Sequence, residues 1–162
     1  MAISALLQPQ QMNNSVQARR KRATSIVANL KELFLNARIV LKYKNNWELL
    51  VAVILSAQCT DKKVNEVTEN LFKKYRTLND YVEANPAEFE QDIKPAGFYR
   101  NKAKNILGAA RMVKEKFDGK IPKTMQEMLQ FPDVARKTAN VVLGNTYGVV
   151  EGIAVDTQVR RL

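Results

Sequence analysis

A lysine beside a break between two helical patterns has the side chain needed for nucleophilic chemistry. Residues 129–144 read LQFPDVARKTANVVLG, and Lys137 lies in the first turn of the second pattern. The positive end of a helix dipole and neighbouring Arg136 both disfavour an additional proton on the Lys137 amine. Such an amine can attack an electrophilic sugar carbon and form an imine with the opened ring. The alternative interpretation of Lys137 is a solvated surface charge.

A carboxylate that follows an apolar run is the candidate partner of this lysine. Asp156 lies in the segment GIAVDT, immediately before a predicted helix. A carboxylate near a cationic, sugar-like transition state stabilises the developing positive charge and can help to deprotonate the amine. Asp156 also has the position of a helix N-cap, a role that is compatible with catalysis. Only the fold can bring Lys137 and Asp156 together.

The break itself predicts a helix-hairpin-helix unit over about residues 124–143. The amides of the turn and of the start of the second helix lack intrahelical partners, so they form an anion site suited to a DNA phosphate. Contacts of this kind hold the backbone of DNA without reading its sequence. An ordinary helical hairpin inside a bundle is the alternative.

The charge of the chain is typical of a protein with a polyanionic partner. Its 162 residues include 26 Lys and Arg against 16 Asp and Glu, a net charge of +10. Nucleic acid is the favoured partner, with an anionic membrane surface or simple solubility as alternatives. One cysteine, Cys59, and no histidine exclude an intrachain disulfide and the usual zinc and haem sites. This composition favours a reducing compartment, the cytoplasm or nucleoid of a bacterium, or the nucleus or mitochondrion of a eukaryote.

The elements that must position these residues are helices. We predict a disordered basic tail over residues 1–22, which ends in the cluster Arg19–Arg22, and one all-α domain of about eight helices over residues 23–162. Thr77, Asn85 and Thr124 are predicted to cap helices, and Asp61 is predicted to cap the third helix. Residues 149–155 are the weak exception, with a short strand-like pattern.

Four stretches, taken together, resemble the endonuclease III family of DNA glycosylases over about residues 25–160. They are LQFPDVARKTANVVLG, the following GIAVDT, the earlier WELLVAVILSAQCTDKKVNEVTENLF and IKPAGFYRNKAKNI. The resemblance implies the six-helix-barrel, helix-hairpin-helix architecture of that family. It also implies an enzyme that removes oxidised pyrimidines from duplex DNA and nicks the abasic site by β-elimination through a lysine Schiff base.

The same resemblance implies roles for individual residues. Lys137 matches the nucleophile of the family, and Asp156 matches its acidic partner. Gln58 matches a residue that fills the space left by the flipped nucleotide, and Phe98 matches a wedge beside the opposite strand; their alternatives are a loop-capping amide and core packing, respectively. The hairpin and helix start supply the other expected DNA contacts: Pro132, Asp133, Val134, Ala135, Arg136 and Thr138.

Two departures from the family pattern concern the hairpin and the acidic motif. The family commonly has Pro-Gly-Val-Gly where this chain has Pro-Asp-Val-Ala, so Asp133 puts a negative charge and Ala135 a methyl group where a phosphate is expected. We therefore expect weaker DNA binding than a glycine-bearing hairpin gives. Gln158 stands where the family often has histidine.

The family usually continues into a segment that completes a second lobe and ends in four cysteines holding a [4Fe-4S] cluster. We expect the second lobe to be incomplete in this chain, with no cluster and no other metal or cofactor. The expected partner is damaged double-stranded DNA rather than a membrane, and the expected state is a monomer, with self-association through exposed apolar surface as an alternative. A catalytically inactive DNA-binding remnant is an alternative function. A MutY-like adenine glycosylase is another, disfavoured by Lys137.

Overall fold

The computed structural model describes residues 9–152, 154 and 155, which form two compact units divided between Arg38 and Ile39. The first unit is built on one helix, α1 (Pro9–Leu33). The predicted tail therefore differs from the structure at residues 9–22, which are helical. Proline at the first helical position, followed by a run of Gln, Ala, Arg and Lys without further proline or glycine, favours this helix.

The second unit contains seven further α-helices among the residues that the structure describes. They are α2 (Asn46–Leu55), α3 (Asp61–Lys74), α4 (Leu78–Val82), α5 (Pro86–Ile93), α6 (Tyr99–Lys116), α7 (Met125–Met128) and α8 (Arg136–Tyr147). A 3₁₀ turn, Lys94–Ala96, connects α5 to α6. No strand occurs in the described residues, including the described part of 149–155. The all-α prediction is confirmed.

Three of the four predicted caps are confirmed. The Thr77 side chain accepts a hydrogen bond from the amide of Asp80, Asn85 accepts from two amides of α5, and Thr124 caps α7. The prediction for α3 was wrong by one residue. Thr60 is the N-cap, with its hydroxyl accepting from the amide of Lys63 at 3.3 Å, and Asp61 is the first helical residue. Thr60 has the extended backbone that an N-cap requires, at φ −74° and ψ 145°.

Helix α2 forms the centre of the core. Its residues 48–55 are all buried, and it contacts α3, α6 and α8. A helix that is apolar on every side gains most of its stability from such tertiary contacts rather than from intrinsic propensity. An aromatic cluster of Trp47, Tyr75, Tyr81 and Phe89 closes one end of the core, with neighbouring ring centroids 5.2–5.9 Å apart. Trp47, in the first turn of α2, joins that helix to the cluster.

Candidate active site and nucleic-acid interface

The predicted hairpin joins α7 to α8 through a tight turn. The amide of Val134 donates to the carbonyl of Phe131 at 3.2 Å, and both side chains are buried. Ala135 is the N-cap of α8 and supplies no side-chain hydrogen bond to the helix. The start of α8 therefore has no capping side chain from its N-cap residue, and the positive end of the helix dipole favours an anion there.

The two glycine replacements in the hairpin have different backbones. Asp133 is left-handed at φ +60°, whereas Ala135 is extended at φ −83° and ψ 171°. An L-residue in the left-handed region costs roughly 1–2 kcal/mol relative to glycine, with Asp among the better tolerated types. Only the first replacement therefore strains the backbone. The exposed Asp133 also adds a negative charge beside the α8 amides.

A cleft of about 290 Å³ brings the predicted nucleophile and the predicted gap-filling residue together. Lys137 and Thr138 of α8 line one side, and Gln58 lines another. The remaining walls are largely apolar and include Ile39, Val40, Leu41, Val53 and Val141. A lysine amine at the mouth of a partly apolar cleft can reach a nucleotide that enters it.

Asp61 lines the same cleft, which the sequence analysis missed. As the first residue after the Thr60 cap, it projects from the start of α3 toward the cleft that also contains Lys137. The signal in the sequence was the single acidic residue of the segment SAQCTD, interpreted only as a cap. A carboxylate there can accept hydrogen bonds from a base or help to balance the charge of nearby amines.

Asp156 lies outside the described residues, so its pairing with Lys137 stays a prediction. Gln158 also lies outside the described residues. Within the described residues, Arg136 and Lys137 occupy the first turn of α8, and both side chains are exposed. Of the predicted pair, the structure describes Lys137 and not Asp156.

Phe98, the predicted wedge, and Gln58, the predicted gap-filling residue, both have a left-handed backbone conformation. Gln58 has φ +51° and Phe98 has φ +48°, and with Asp133 they make three of the four left-handed non-glycine residues in the described part of the chain. Phe98 is 65% exposed, so the alternative that it packs in the core is wrong. Strained residues of this kind cluster at functional sites when the surrounding structure holds them in place.

Asn65 of α3 fixes the wall of the cleft. Its side-chain oxygen accepts from the amide of Lys42 at 2.8 Å, and its side-chain nitrogen donates to the carbonyl of Val40 at 3.0 Å. The pair of bonds satisfies two backbone polar groups of the loop at residues 40–42. The side chains of Val40 and Leu41 are thereby held along the cleft.

The residues of this chain do not fit an iron–sulfur cluster. A [4Fe-4S] cluster takes four cysteine thiolates, and the sequence contains Cys59 alone. Within the part of the chain that the structure describes, no three His, Cys, Asp or Glu side chains are grouped as metal ligands.

No described helix is long and apolar enough to cross a membrane.

Comparison with known proteins identifies the family of the chain. Residues 51–162, more than half of the chain, match the family model of the HhH-GPD superfamily base excision DNA repair protein. Endonuclease III of Synechocystis sp. is 50% identical over 145 residues, which are 90% of this chain and 66% of the relative.

Two solved structures share the fold. A non-covalent endonuclease III–DNA complex has a TM-score of 0.81 at 45% identity, over 87% of this chain and 65% of that one. A trapped endonuclease III–DNA covalent intermediate, an estranged-adenine complex, gives the same TM-score and identity over 87% and 66%. The chain thus spans less than two thirds of the length of these proteins. The chain belongs to the HhH-GPD superfamily of base excision DNA repair proteins.

Proposed function

We propose that the chain is a DNA glycosylase with abasic-site (AP) lyase activity that removes oxidised pyrimidines from duplex DNA. The observation that carries the proposal is the exposed Lys137 at the start of α8, on a cleft shared with Gln58 and Asp61. The similarity to a trapped endonuclease III–DNA covalent intermediate supports it, because a covalent intermediate with DNA requires a nucleophile on the enzyme. Lys137 is the lysine that lines this cleft.

The proposed reaction begins with a damaged nucleotide turned out of the duplex into the cleft. The Lys137 amine attacks C1′ of the sugar, a nitrogen–carbon bond forms, and the glycosidic bond breaks with departure of the base. The sugar ring then opens to give an imine on Lys137. Loss of a proton from C2′ drives β-elimination, which breaks the bond between C3′ and the 3′ phosphate oxygen. Asp156 is the proposed acceptor of the amine proton.

The hairpin and the strained loops supply binding rather than chemistry. In this proposal the α8 amides donate hydrogen bonds to a phosphate of the DNA backbone, with Pro132, Ala135, Arg136 and Thr138 around it. Val134 is not a DNA contact here, because its side chain is buried and its amide is bound to the carbonyl of Phe131. Gln58 enters the gap left in the duplex, and Phe98 lies against the opposite strand. Asp61 offers a hydrogen-bond acceptor to the extruded base.

Borohydride trapping on an abasic duplex tests the proposed lyase step. Borohydride reduces the imine, so the wild-type chain should form a covalent complex with DNA that is visible by denaturing electrophoresis. Lys137→Ala should abolish the complex. Lys116→Ala, which removes another exposed lysine at the far end of α6, should leave it unchanged.

The outcomes separate the alternative functions. Salt-sensitive duplex binding without a trapped complex would identify a DNA-binding remnant without catalysis. Release of adenine in place of an oxidised pyrimidine such as thymine glycol would identify a MutY-like activity. Trapping that survives Lys137→Ala would reject Lys137 as the nucleophile.

A further inference from the structure

Lys102 is the most deeply buried cation in the described part of the chain, and the proposed mechanism does not use it. It lies one turn into α6 and is 3% exposed. Its Nζ donates to the carbonyl of Leu55 at 2.8 Å and to the carbonyl of Ala96 at 2.9 Å. A buried ammonium is costly unless such partners compensate its lost hydration. Burial lowers the pKa of Lys102, and the charges of Cys59 and Asp133 act in the opposite direction.

The two carbonyls bound by Lys102 end two different elements. Leu55 is the last residue of α2, and Ala96 is the last residue of the 3₁₀ turn. Carbonyls at helix ends lack intrahelical donors and carry the negative end of the dipole, so a cation is the donor they bind best. Hydrogen bonds from a charged donor are stronger than those between neutral groups. One side chain thus joins the ends of two elements that are forty-seven and six residues from it in sequence.

Each of these ends leads directly into a strained residue. Residues 56–59, the Gln58 loop, follow Leu55 and precede the Thr60 cap of α3, and Gln58 is left-handed at φ +51°. Residues 97 and 98, the Phe98 loop, follow Ala96, and Phe98 is left-handed at φ +48°. Left-handed non-glycine residues persist only where their surroundings determine the backbone. Lys102 therefore binds the carbonyl of the last helical residue before each of the two loops.

We propose that Lys102 is a positioning residue, which holds the Gln58 loop and the Phe98 loop at a fixed separation so that both side chains enter the duplex together. The inference rests on the proposed function, in which these two side chains contact the DNA. It assigns Lys102 no contact with substrate and no part in the chemical step. Lys102 instead fixes the two loops before DNA binds, because loops that are already fixed lose less conformational entropy on binding.

The test uses a duplex that contains an uncleavable abasic analogue opposite 2-aminopurine, whose fluorescence rises when the base is unstacked. With the wild-type chain at saturation the fluorescence should rise. With Lys102→Met the rise should fall by at least half, and the dissociation constant should increase about tenfold. The rate constant of borohydride trapping at saturating enzyme should change less than twofold, because Lys137 is untouched.

Val113→Ala is the matched control for a loss of stability. Val113 is 1% exposed on the same helix, eleven residues or about 16 Å beyond Lys102. Its truncation should lower the free energy of unfolding and leave the fluorescence rise intact. If Lys102→Met does not fold, Lys102→Gln, which keeps a donor for one carbonyl, should give an intermediate rise.

Each result decides between the two proposals. A full fluorescence rise with Lys102→Met, or its loss in Val113→Ala as well, would overturn the positioning role, as would no rise with the wild-type chain. Failure of the wild-type chain to be trapped on an abasic duplex would overturn the proposed lyase activity alone. The fluorescence experiment would still decide the role of Lys102, because its analogue requires no chemistry.

Discussion

Helices α3 and α8 both begin at the same cleft, but their first turns are built in opposite ways. Helix α3 is capped by Thr60, and its first turn contains the acidic Asp61, which complements the helix dipole. Helix α8 has Ala135 at the cap, with no side-chain hydrogen bond, and has Arg136 and Lys137 in its first turn. The start of α3 is satisfied within the protein. The start of α8 has no side-chain cap and no acidic residue in its first turn, so positive charge is concentrated there.

Converting the start of α8 into one like that of α3 should have the largest effect on DNA binding. Ala135→Asp supplies a capping carboxylate, so the free energy of unfolding should rise by about 1 kcal/mol. The same carboxylate occupies the anion site, and the affinity for abasic duplex should fall about tenfold or more, ~1.4 kcal/mol. Thermal unfolding and fluorescence anisotropy measure the two changes.

Ala135→Ser is the matched control, because it caps the helix without adding charge. It should stabilise the protein to a similar degree and weaken binding less than Ala135→Asp does. Unchanged affinity in Ala135→Asp would show that the α8 amides are not the phosphate site.

Removing the negative charge from the hairpin should instead strengthen DNA binding. Asp133→Gly relieves a left-handed residue and deletes a carboxylate beside the α8 amides. We expect affinity for abasic duplex to increase about fivefold, ~1 kcal/mol, with a weaker effect at high salt. Asp133→Asn, which removes the charge and retains a side chain, should give part of the gain. Equal or weaker binding of Asp133→Gly would contradict this account of the hairpin.

Removing the cap of α3 should affect stability and spare DNA affinity. Thr60→Ala deletes the hydroxyl that accepts from the amide of Lys63, and the free energy of unfolding should fall by about 1 kcal/mol in urea titrations. The dissociation constant for duplex should change less than twofold. Thr77→Ala at α4, which has the same kind of cap away from the cleft, should lose similar stability. A drop in affinity as large as that of Ala135→Asp would remove the distinction between the two starts.

The smallest expected effect concerns pH at a helix start with no link to the cleft. Hydrogen bonds from the backbone amides of Thr77 and Arg76 hold the pKa of Asp80 below its ordinary value of 3.8. A lowered folded pKa gives stability that is present above the ordinary value and is lost as pH falls through the folded pKa. Asp80→Asn should therefore flatten the decline in stability below about pH 4. An unaltered acid profile would show that Asp80 contributes nothing to α4.

Local chemistry explains which features the sequence could predict. The caps at Thr77, Asn85 and Thr124 depend on bonds that span two or three residues, and the helical pattern of α2 depends on its own composition. The role of Lys102 was not predictable, because one of its acceptors, Leu55, is forty-seven residues away. Asp61 was predicted to be the cap of α3, although Asp and Thr are both preferred N-cap residues. Only the backbone angles distinguish Asp61 from its neighbour Thr60. The pairing of Lys137 with Gln58 across the cleft required the fold.

Helix α6 sets the scale at which the proposed DNA contacts are spaced. Phe98 is its N-cap, and ten residues later Gly108 meets the hairpin, where a Cβ would lie 3.4 Å from Pro132 Cγ. At a rise of 1.5 Å per residue, the two points are about 15 Å apart along a rigid axis. That length is roughly four steps of one DNA strand. The length of α6 therefore sets the distance between the hairpin and Phe98. Adding one residue to the helix would turn the hairpin by about 100° relative to Phe98, so the two could no longer face the DNA duplex together.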